Sequence, residues 1–285
     1  MSKLKIAIQK KGRLSEKSLE LLKQCGIKLP NGDGKLKTEA SNFPIEILFL
    51  RDDDIPQYVE QGVADIGILG ENEVLEKDKK VDLIDRLGFA FCRLSLAIPK
   101  DEIYNSVAYF NNKKVATSYP KILSRYFNEK GVDAEIEEIG GSVEIAPGIG
   151  LAQGIFDIVS TGSTLQMNGL KEVEMVLKSE AVLIGCPTMA EFQRNVLEQL
   201  IFRLKAVRNA AENKYILLNT PDTAIEKICA LLPGMKSPTI LPLVEKGWSS
   251  LHSVIREDQF WEVIGQLKAC GAQGILVLPI EKMIL

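Results

Sequence analysis

Histidine is almost missing from this chain: His252 is the only one in 285 residues. That excludes a multi-histidine metal centre, and imidazole-dependent catalysis is not expected. His252 itself reads as a partly exposed strand residue. Cysteine is sparse and dispersed. Its five copies, Cys25, Cys92, Cys186, Cys229 and Cys270, form no Cys-x-x-Cys pair, so neither a disulfide framework nor a zinc site is indicated. No apolar run approaches the ~18 residues of a membrane span, and no signal-peptide pattern precedes the first strand. A cytoplasmic location is expected. Charge of one sign is not in excess either. A formal net charge of −3 provides no basic field for nucleic acid or membrane, so an anionic ligand must be met by local positive charge.

What is present is an ordinary globular composition, 46% apolar and 26% charged, with length enough for two or three domains. Apolar runs at 4–8, 45–50 and 65–69 alternate with helical stretches at 15–25 and from Ile55, which signals a mainly parallel sheet. Gly26 stops the first helix. Asp52, Asp53 and Asp54 precede the second and are expected to cap its first N–H groups rather than to bind metal. A long strand over 91–99 leaves this lobe for another, built from a strand at 114–116, a helix closed by Gly131, and strands at 134–139 and near 174–179. A strand at 181–184 and a helix over about 188–207 return the chain to the first lobe. The last part reads as β-α-β-β-α-β, the ferredoxin-like arrangement, with Phe260, Trp261, Ile264 and Leu267 expected to face inward from its second helix. The expected domains are 1–92 with about 180–210, then 93–179, then 211–285.

The most informative segment is Phe156-Asp-Ile-Val-Ser-Thr-Gly-Ser-Thr-Leu165. A short apolar run carries an acid and ends in hydroxyls around a glycine. Strand-then-loop geometry turns the hydroxyls and N–H groups of Ser160, Thr161, Gly162, Ser163 and Thr164 to one point, which suits a phosphate. Asp157 stands where a carboxylate takes the hydroxyls of an attached sugar, so the pair suggests a phosphosugar. A plain Ser/Thr/Gly turn after a strand has the same composition. The stretch 153–162 also repeats 61–70 at five of ten positions (Gln, Gly, Asp, Ile, Gly). Two such strand–loop units, each followed by further loop residues (Glu71 and Asn72, or Ser163 and Thr164), suggest two related α/β lobes around a cleft. Open α/β sheets bind ligands beyond the carboxyl ends of their strands. A cytoplasmic sensor holding a small anion has this shape too and stands as the alternative.

With these pieces placed, the chain resembles the ATP phosphoribosyltransferase family in its long form. The resemblance runs from Ile6-Ala-Ile-Gln-Lys-Lys-Gly-Arg-Leu14 to Ile275-Leu-Val-Leu-Pro-Ile-Glu-Lys-Met283. It includes Arg51-Asp-Asp-Asp-Ile-Pro56, Asp65-Ile-Gly-Ile-Leu-Gly-Glu-Asn72, Cys92-Arg-Leu-Ser-Leu-Ala97, Ala116-Thr-Ser-Tyr-Pro120 and Gly141-Ser-Val-Glu-Ile-Ala-Pro147. It implies a two-lobed, periplasmic-binding-protein-like α/β catalytic body with a C-terminal ferredoxin-like regulatory domain. The implied reaction joins the phosphoribosyl group of phosphoribosyl pyrophosphate to N1 of the adenine of ATP. By position, Ser160, Thr161, Gly162, Ser163 and Thr164 would cradle the 5′-phosphate, and Asp157, with Glu144, would meet the ribose. Lys10 and Arg51 would face pyrophosphate, and Arg13, Glu71 and Arg93 would lie on the ATP side. Mg²⁺ would arrive with the substrate phosphates rather than in a site built by the protein. L-Histidine, as feedback inhibitor, would contact Asp222, Ser237, Pro238, Thr239 and Ala272. A homo-oligomer, dimer to hexamer, with no separate regulatory subunit completes the expectation.

Overall fold

The computed structural model describes residues 2–30 and 36–285. The chain divides into two compact units, Met1–Glu20 with Ile27–Val196, and Leu21–Gly26 with Leu197–Leu285. The division falls within the helices Arg13–Gln24 and Glu191–Ala211, so each contributes residues to both units.

The first unit opens with β1 (Leu4–Gln9), α1 (Arg13–Gln24), β2 (Lys37–Glu39), β3 (Ile45–Leu50), α2 (Ile55–Glu60), β4 (Ile66–Gly70), α3 (Glu71–Lys77) and β5 (Asp82–Arg86). β1 pairs in parallel with β3 and with β4. Both faces of β1 and β4 are covered, which is why they are near-continuous apolar runs: Leu4, Ile6, Ala7 and Ile8, then Ile66, Ile68 and Leu69, are all buried. The acidic triplet departs from expectation. Asp52–Asp54 is itself a 3₁₀ turn, and no side chain caps α2. Pro56 in the first turn of α2 has no N–H to satisfy, and the tight turn supplies i→i+3 bonds of its own. The acids turn elsewhere: Asp52 accepts from Gln9 Nε2 at 3.2 Å, and Asp53 pairs with Arg51 and Lys77. β2 and β5 are polar edge strands without apolar alternation, so the sequence pattern does not show them. Glu71 and Ser163 are also not loop residues; each starts a helix, Glu71 directly after its strand and Ser163 after the turn 160–162.

The second sheet of this unit follows: β6 (Cys92–Pro99), β7 (Lys114–Thr117), α4 (Pro120–Lys130), β8 (Glu135–Glu138), β9 (Gly154–Val159), α5 (Ser163–Met167) and β10 (Leu170–Ser179). Its order is β10-β6-β9-β7-β8, with β9 parallel to β7 and antiparallel to β6. β10 starts earlier than the sequence suggests. Register shifts at Glu172/Glu174 and Met175/Leu177 break its period of two. Leu94, Leu96, Ile98, Phe110 and Phe156 fill one face of the sheet. Ala97, Ala116, Ile155, Val159 and Leu165 fill the other. The chain then returns through β11 (Ala181–Gly185), giving the first sheet the order β2-β3-β1-β4-β11-β5. The two crossings between sheets are hydrogen-bonded to each other: Leu87 N–H to Ala181 O and Ala181 N–H to Phe89 O, both 2.9 Å. Two α/β sheets joined by two adjacent crossings make the expected two-lobed body. The repeated segment supplies β4 and β9, an interior strand of each sheet.

After α6 (Glu191–Ala211), the second unit contains β12 (Asn213–Pro221), α7 (Ile225–Leu231), β13 (Thr239–Pro242), β14 (Trp248–Arg256), α8 (Glu257–Ala269) and β15 (Gln273–Pro279). The sheet order β13-β14-β12-β15, antiparallel throughout, is the expected ferredoxin-like topology. Trp261 corrects the expected inward stripe of α8. It is 74% exposed, while Leu267 is fully buried and Phe260 and Val263 pack against the core. One residue is about 100° of helix, so Phe260 and Trp261 cannot both point inward. Among the described residues no helix is long and apolar enough to cross a membrane.

Candidate active site

The carboxyl edge of the first sheet gathers Lys10, Arg51 and Glu71, which follow the neighbouring strands β1, β3 and β4. Lys10 N–H donates to Leu50 O at 2.7 Å, which fixes the first two side by side. The Arg51 guanidinium is exposed and lies 3.2 Å from Asp53. Arg13, at the first turn of α1, is exposed, as is Lys10.

In the second lobe, β9 ends at the hydroxyl loop. Gly162 adopts φ +81, the left-handed conformation a side chain resists, and so lets the chain turn directly into α5. The Thr161 and Ser163 hydroxyls stand 3.0 Å apart, and residues 160, 161, 163 and 164 are all solvent-exposed. Asp157, two residues before β9 ends, is half-buried. Desolvation pushes its carboxyl up to about 6, the Ile158 N–H opposes this at 2.7 Å, and the charge of Glu144 adds to it. Glu144 sits in the 3₁₀ turn Val143–Ile145, so the fold brings both expected ribose acids together. Two carboxylates near one another and partly withdrawn from water favour a ligand that brings hydroxyls or positive charge.

Arg93 lies on β6 and does not stand free in the cleft. Its Nε and Nη2 both donate to Glu172 at 2.6 Å, and its Nη1 donates to Ser160 O at 3.0 Å. A pocket of about 550 Å³ at the crossings between the two sheets is lined by Glu71, Arg93 and Ser160 together with Arg86, Phe91 and Lys178. Glu71 is held there by Arg86. The fold therefore joins Glu71, Arg93 and the start of the hydroxyl loop in one pocket, whereas Lys10, Arg13 and Arg51 are not among its lining residues.

Sequence reasoning missed a polar seam between the lobes. α3 sends Asn72, Glu73 and Glu76 toward the start of α4. Tyr119 OH donates to Glu73 at 3.0 Å, and Ser179 Oγ donates to Asn72 Oδ1 at 2.9 Å. The N–H groups of Lys121 and Ile122 each donate to Glu76 at 3.0 Å. Burial raises Glu73, with Asp52 adding to the shift. The Tyr119 hydroxyl is raised by burial and then by Glu73, and the charges of Asp157 and Asp52 reach it from either lobe. The signal was available in part: Glu71-Asn72 and Thr117-Ser118-Tyr119 are polar clusters at strand ends, but nothing local shows that they meet.

In the second unit Asp222 follows β12 and accepts from Ser249 Oγ at 2.7 Å. Ala272, just before β15, lies at the same end of the sheet, and its side chain is buried in the core. Thr239 does not join them. It pairs with His252, four positions along β14 from the Trp248 that faces Pro221, which is roughly 13 Å at ordinary strand rise. Ser237 and Pro238 precede it. His252 is half-buried on β14, between the hydroxyls of Tyr215 (2.7 Å) and Ser250 (3.2 Å).

Comparison with known proteins points one way. The sequence model of the HisG family, described as ATP phosphoribosyltransferase, matches residues 51–206, and that of the HisG C-terminal domain matches residues 210–282. An ATP phosphoribosyltransferase of Cytophaga hutchinsonii is 58% identical over 99% of this chain and 98% of its own length. One from Bacteroides thetaiotaomicron is 58% identical over 99% of both. The solved ATP phosphoribosyl transferase (HisG:HisZ) complex of Thermotoga maritima contains a chain that is 31% identical. It covers 71% of this chain and 96% of its own length, with a TM-score of 0.62. A hydroxyl loop beside paired acids, a two-lobed body, and near-complete overlap with the two 58% identical enzymes agree: the chain belongs to the ATP phosphoribosyltransferase family, in its long form.

Proposed function

We propose that this chain transfers the phosphoribosyl group of phosphoribosyl pyrophosphate to N1 of the adenine of ATP, releasing pyrophosphate. This is the first step of histidine biosynthesis. The observation that carries the reading is the 160–164 loop at the carboxyl end of β9, with Asp157 and Glu144 beside it. The loop takes the 5′-phosphate through its hydroxyls and N–H groups. Asp157 accepts the ribose hydroxyls, and its negative charge stabilises positive charge that develops at the anomeric carbon as pyrophosphate departs. N1 attacks with its own lone pair, so the protein's task is alignment and charge compensation rather than covalent chemistry.

Lys10 and Arg51, on the edge of the other lobe, meet the departing pyrophosphate. Glu71 lines the ATP side, and Arg13 meets a nucleotide phosphate. When bound, Mg²⁺ supplies further neutralisation of the phosphate charge. Among the described residues no three His, Cys, Asp or Glu side chains converge to hold a metal. The two lobes, taken as 1–92 with about 180–210 and as 93–179, form the catalytic body, and 211–285 is the regulatory module. L-Histidine binds that module as a feedback inhibitor, at Asp222 and Ala272 or at Ser237, Pro238 and Thr239, which lie at different ends of the sheet. The enzyme works in the cytoplasm as a homo-oligomer of dimers forming hexamers. The match of residues 210–282 to the C-terminal domain supports regulation within the chain, without a separate subunit.

Mass spectrometry of the purified protein with ATP, phosphoribosyl pyrophosphate and Mg²⁺ tests the reading. Phosphoribosyl-ATP is expected, and less of it with histidine present. Folded protein that leaves both substrates intact would return the anion-sensor alternative.

A further inference from the structure

We propose that Glu172 is a positioning residue for the phosphate loop, acting through Arg93. The inference rests on the reading of residues 160–164 as the loop that holds the 5′-phosphate.

β6 places Arg93 and Ser95 two residues apart, hence on one face of the sheet, and Glu172 reaches them from β10. Glu172 Oε1 accepts from Arg93 Nε at 2.6 Å and from Ser95 Oγ at 2.7 Å, while Oε2 accepts from Arg93 Nη2 at 2.6 Å. A guanidinium is planar and rigid. Once one edge is forked onto a carboxylate, the direction of the remaining nitrogen is set. That nitrogen, Nη1, donates to the carbonyl of Ser160, the first loop residue after β9, at 3.0 Å. Holding this carbonyl orients the whole 160–161 peptide plane. In a trans peptide the Thr161 N–H then points away from Arg93. Ser95 lies opposite Asp157 in the β6–β9 register, so one carboxylate braces both the loop and the strand pair that carries the ribose acid. Arg93 and Ser95 also hold Glu172 below the usual carboxylate range, which keeps the brace ionised.

Arg93 therefore acts from behind the loop. With its charge matched by Glu172, its contribution is direction rather than free positive charge. Without Glu172 the guanidinium swings loose, and the loop loses a fixed peptide before any substrate arrives.

The test uses the full chain carrying Glu172→Ala, Glu172→Gln or, as reference, Thr161→Ala. KM for each substrate, kcat, and equilibrium binding of phosphoribosyl pyrophosphate with Mg²⁺ are measured beside circular dichroism. Glu172→Ala is expected to raise the KM and Kd for phosphoribosyl pyrophosphate by about 10-fold, the scale of a lost charged hydrogen bond. KM for ATP should stay within about 2-fold. Glu172→Gln keeps the shape and one acceptor and should recover part of the loss; it also serves if the alanine variant fails to fold. An unchanged KM for phosphoribosyl pyrophosphate in the folded Glu172 variants, while Thr161→Ala raises it, overturns the positioning role and leaves the loop reading standing. An equal rise in both KM values overturns it in favour of a general structural role. No effect from Thr161→Ala either would overturn the loop reading and the proposal with it.

Discussion

At the scale of single residues, Asp157 carries the clearest consequence. Its folded pKa of about 6 lies above that of an unfolded carboxylate, ~3.9, so the native state binds the proton more readily. The stabilisation this gives is full below about pH 4 and is lost as pH rises through 6. Asp157→Asn removes the buried charge and should stabilise the protein on the order of 2 kcal/mol at pH 8, with little gain at pH 4. Urea unfolding at the two pH values reads the difference. The same change should weaken phosphoribosyl pyrophosphate, because the neutral amide loses the negative charge and one acceptor. A variant that is both more stable and less active marks a residue held for chemistry rather than for folding. Trp261 is the contrasting case. It is 74% exposed, so Trp261→Ser should shift the melting temperature by less than a truncation of the fully buried Leu267. Calorimetry of the two variants checks the order.

At the scale of elements, the α3–α4 contact is the telling one. Glu76 is buried and caps two N–H groups of α4 from another helix, a job that the helix's own N-cap, Tyr119, does not perform. Glu76→Ala leaves both donors unmet and should cost about 1–2 kcal/mol. Because α3 and α4 belong to different lobes, hydrogen exchange at Lys121 and Ile122 should rise before the strands of either sheet open. Exchange that rises evenly through the first unit would argue for global destabilisation instead. Local pattern told little of this. A glutamate on a short helix looks like a solvated charge until the fold sets another helix end against it. The hydroxyl loop differs. Its glycine, its hydroxyls and the apolar strand before it are contiguous, so the turn is legible without the fold.

For the whole molecule, the two units should separate in function. Truncation after about residue 210 is expected to abolish inhibition by histidine and to disturb assembly. Initial rates against histidine concentration, with sedimentation of both forms, test this; inhibition unchanged in the truncated protein would place the effector elsewhere. The residues proposed to meet histidine also pose a geometric question. Asp222 and Ala272 share one end of their sheet, while Thr239 sits some four residues along it. Asp222→Ala and Thr239→Ala therefore need not weaken histidine equally, and separate titrations show which end matters.

By itself the sequence determined the two-lobed α/β body, the ferredoxin-like module, the hydroxyl-rich turn after a strand, and the family. These follow from local periodicity, from glycine and hydroxyls at fixed offsets, and from motifs in a fixed order, all of which survive in a linear string. Only the tertiary structure decided that Arg93 is held by Glu172, that Glu76 caps a helix of the other lobe, and that Asp157 is raised by burial beside Glu144. Each depends on strand register or on a crossing between sheets. A shift of one residue in β10, already irregular at Glu172, would turn that carboxylate to the opposite face. Burial and electrostatic coupling belong to residues far apart in the chain, and these exist only once the strands have paired.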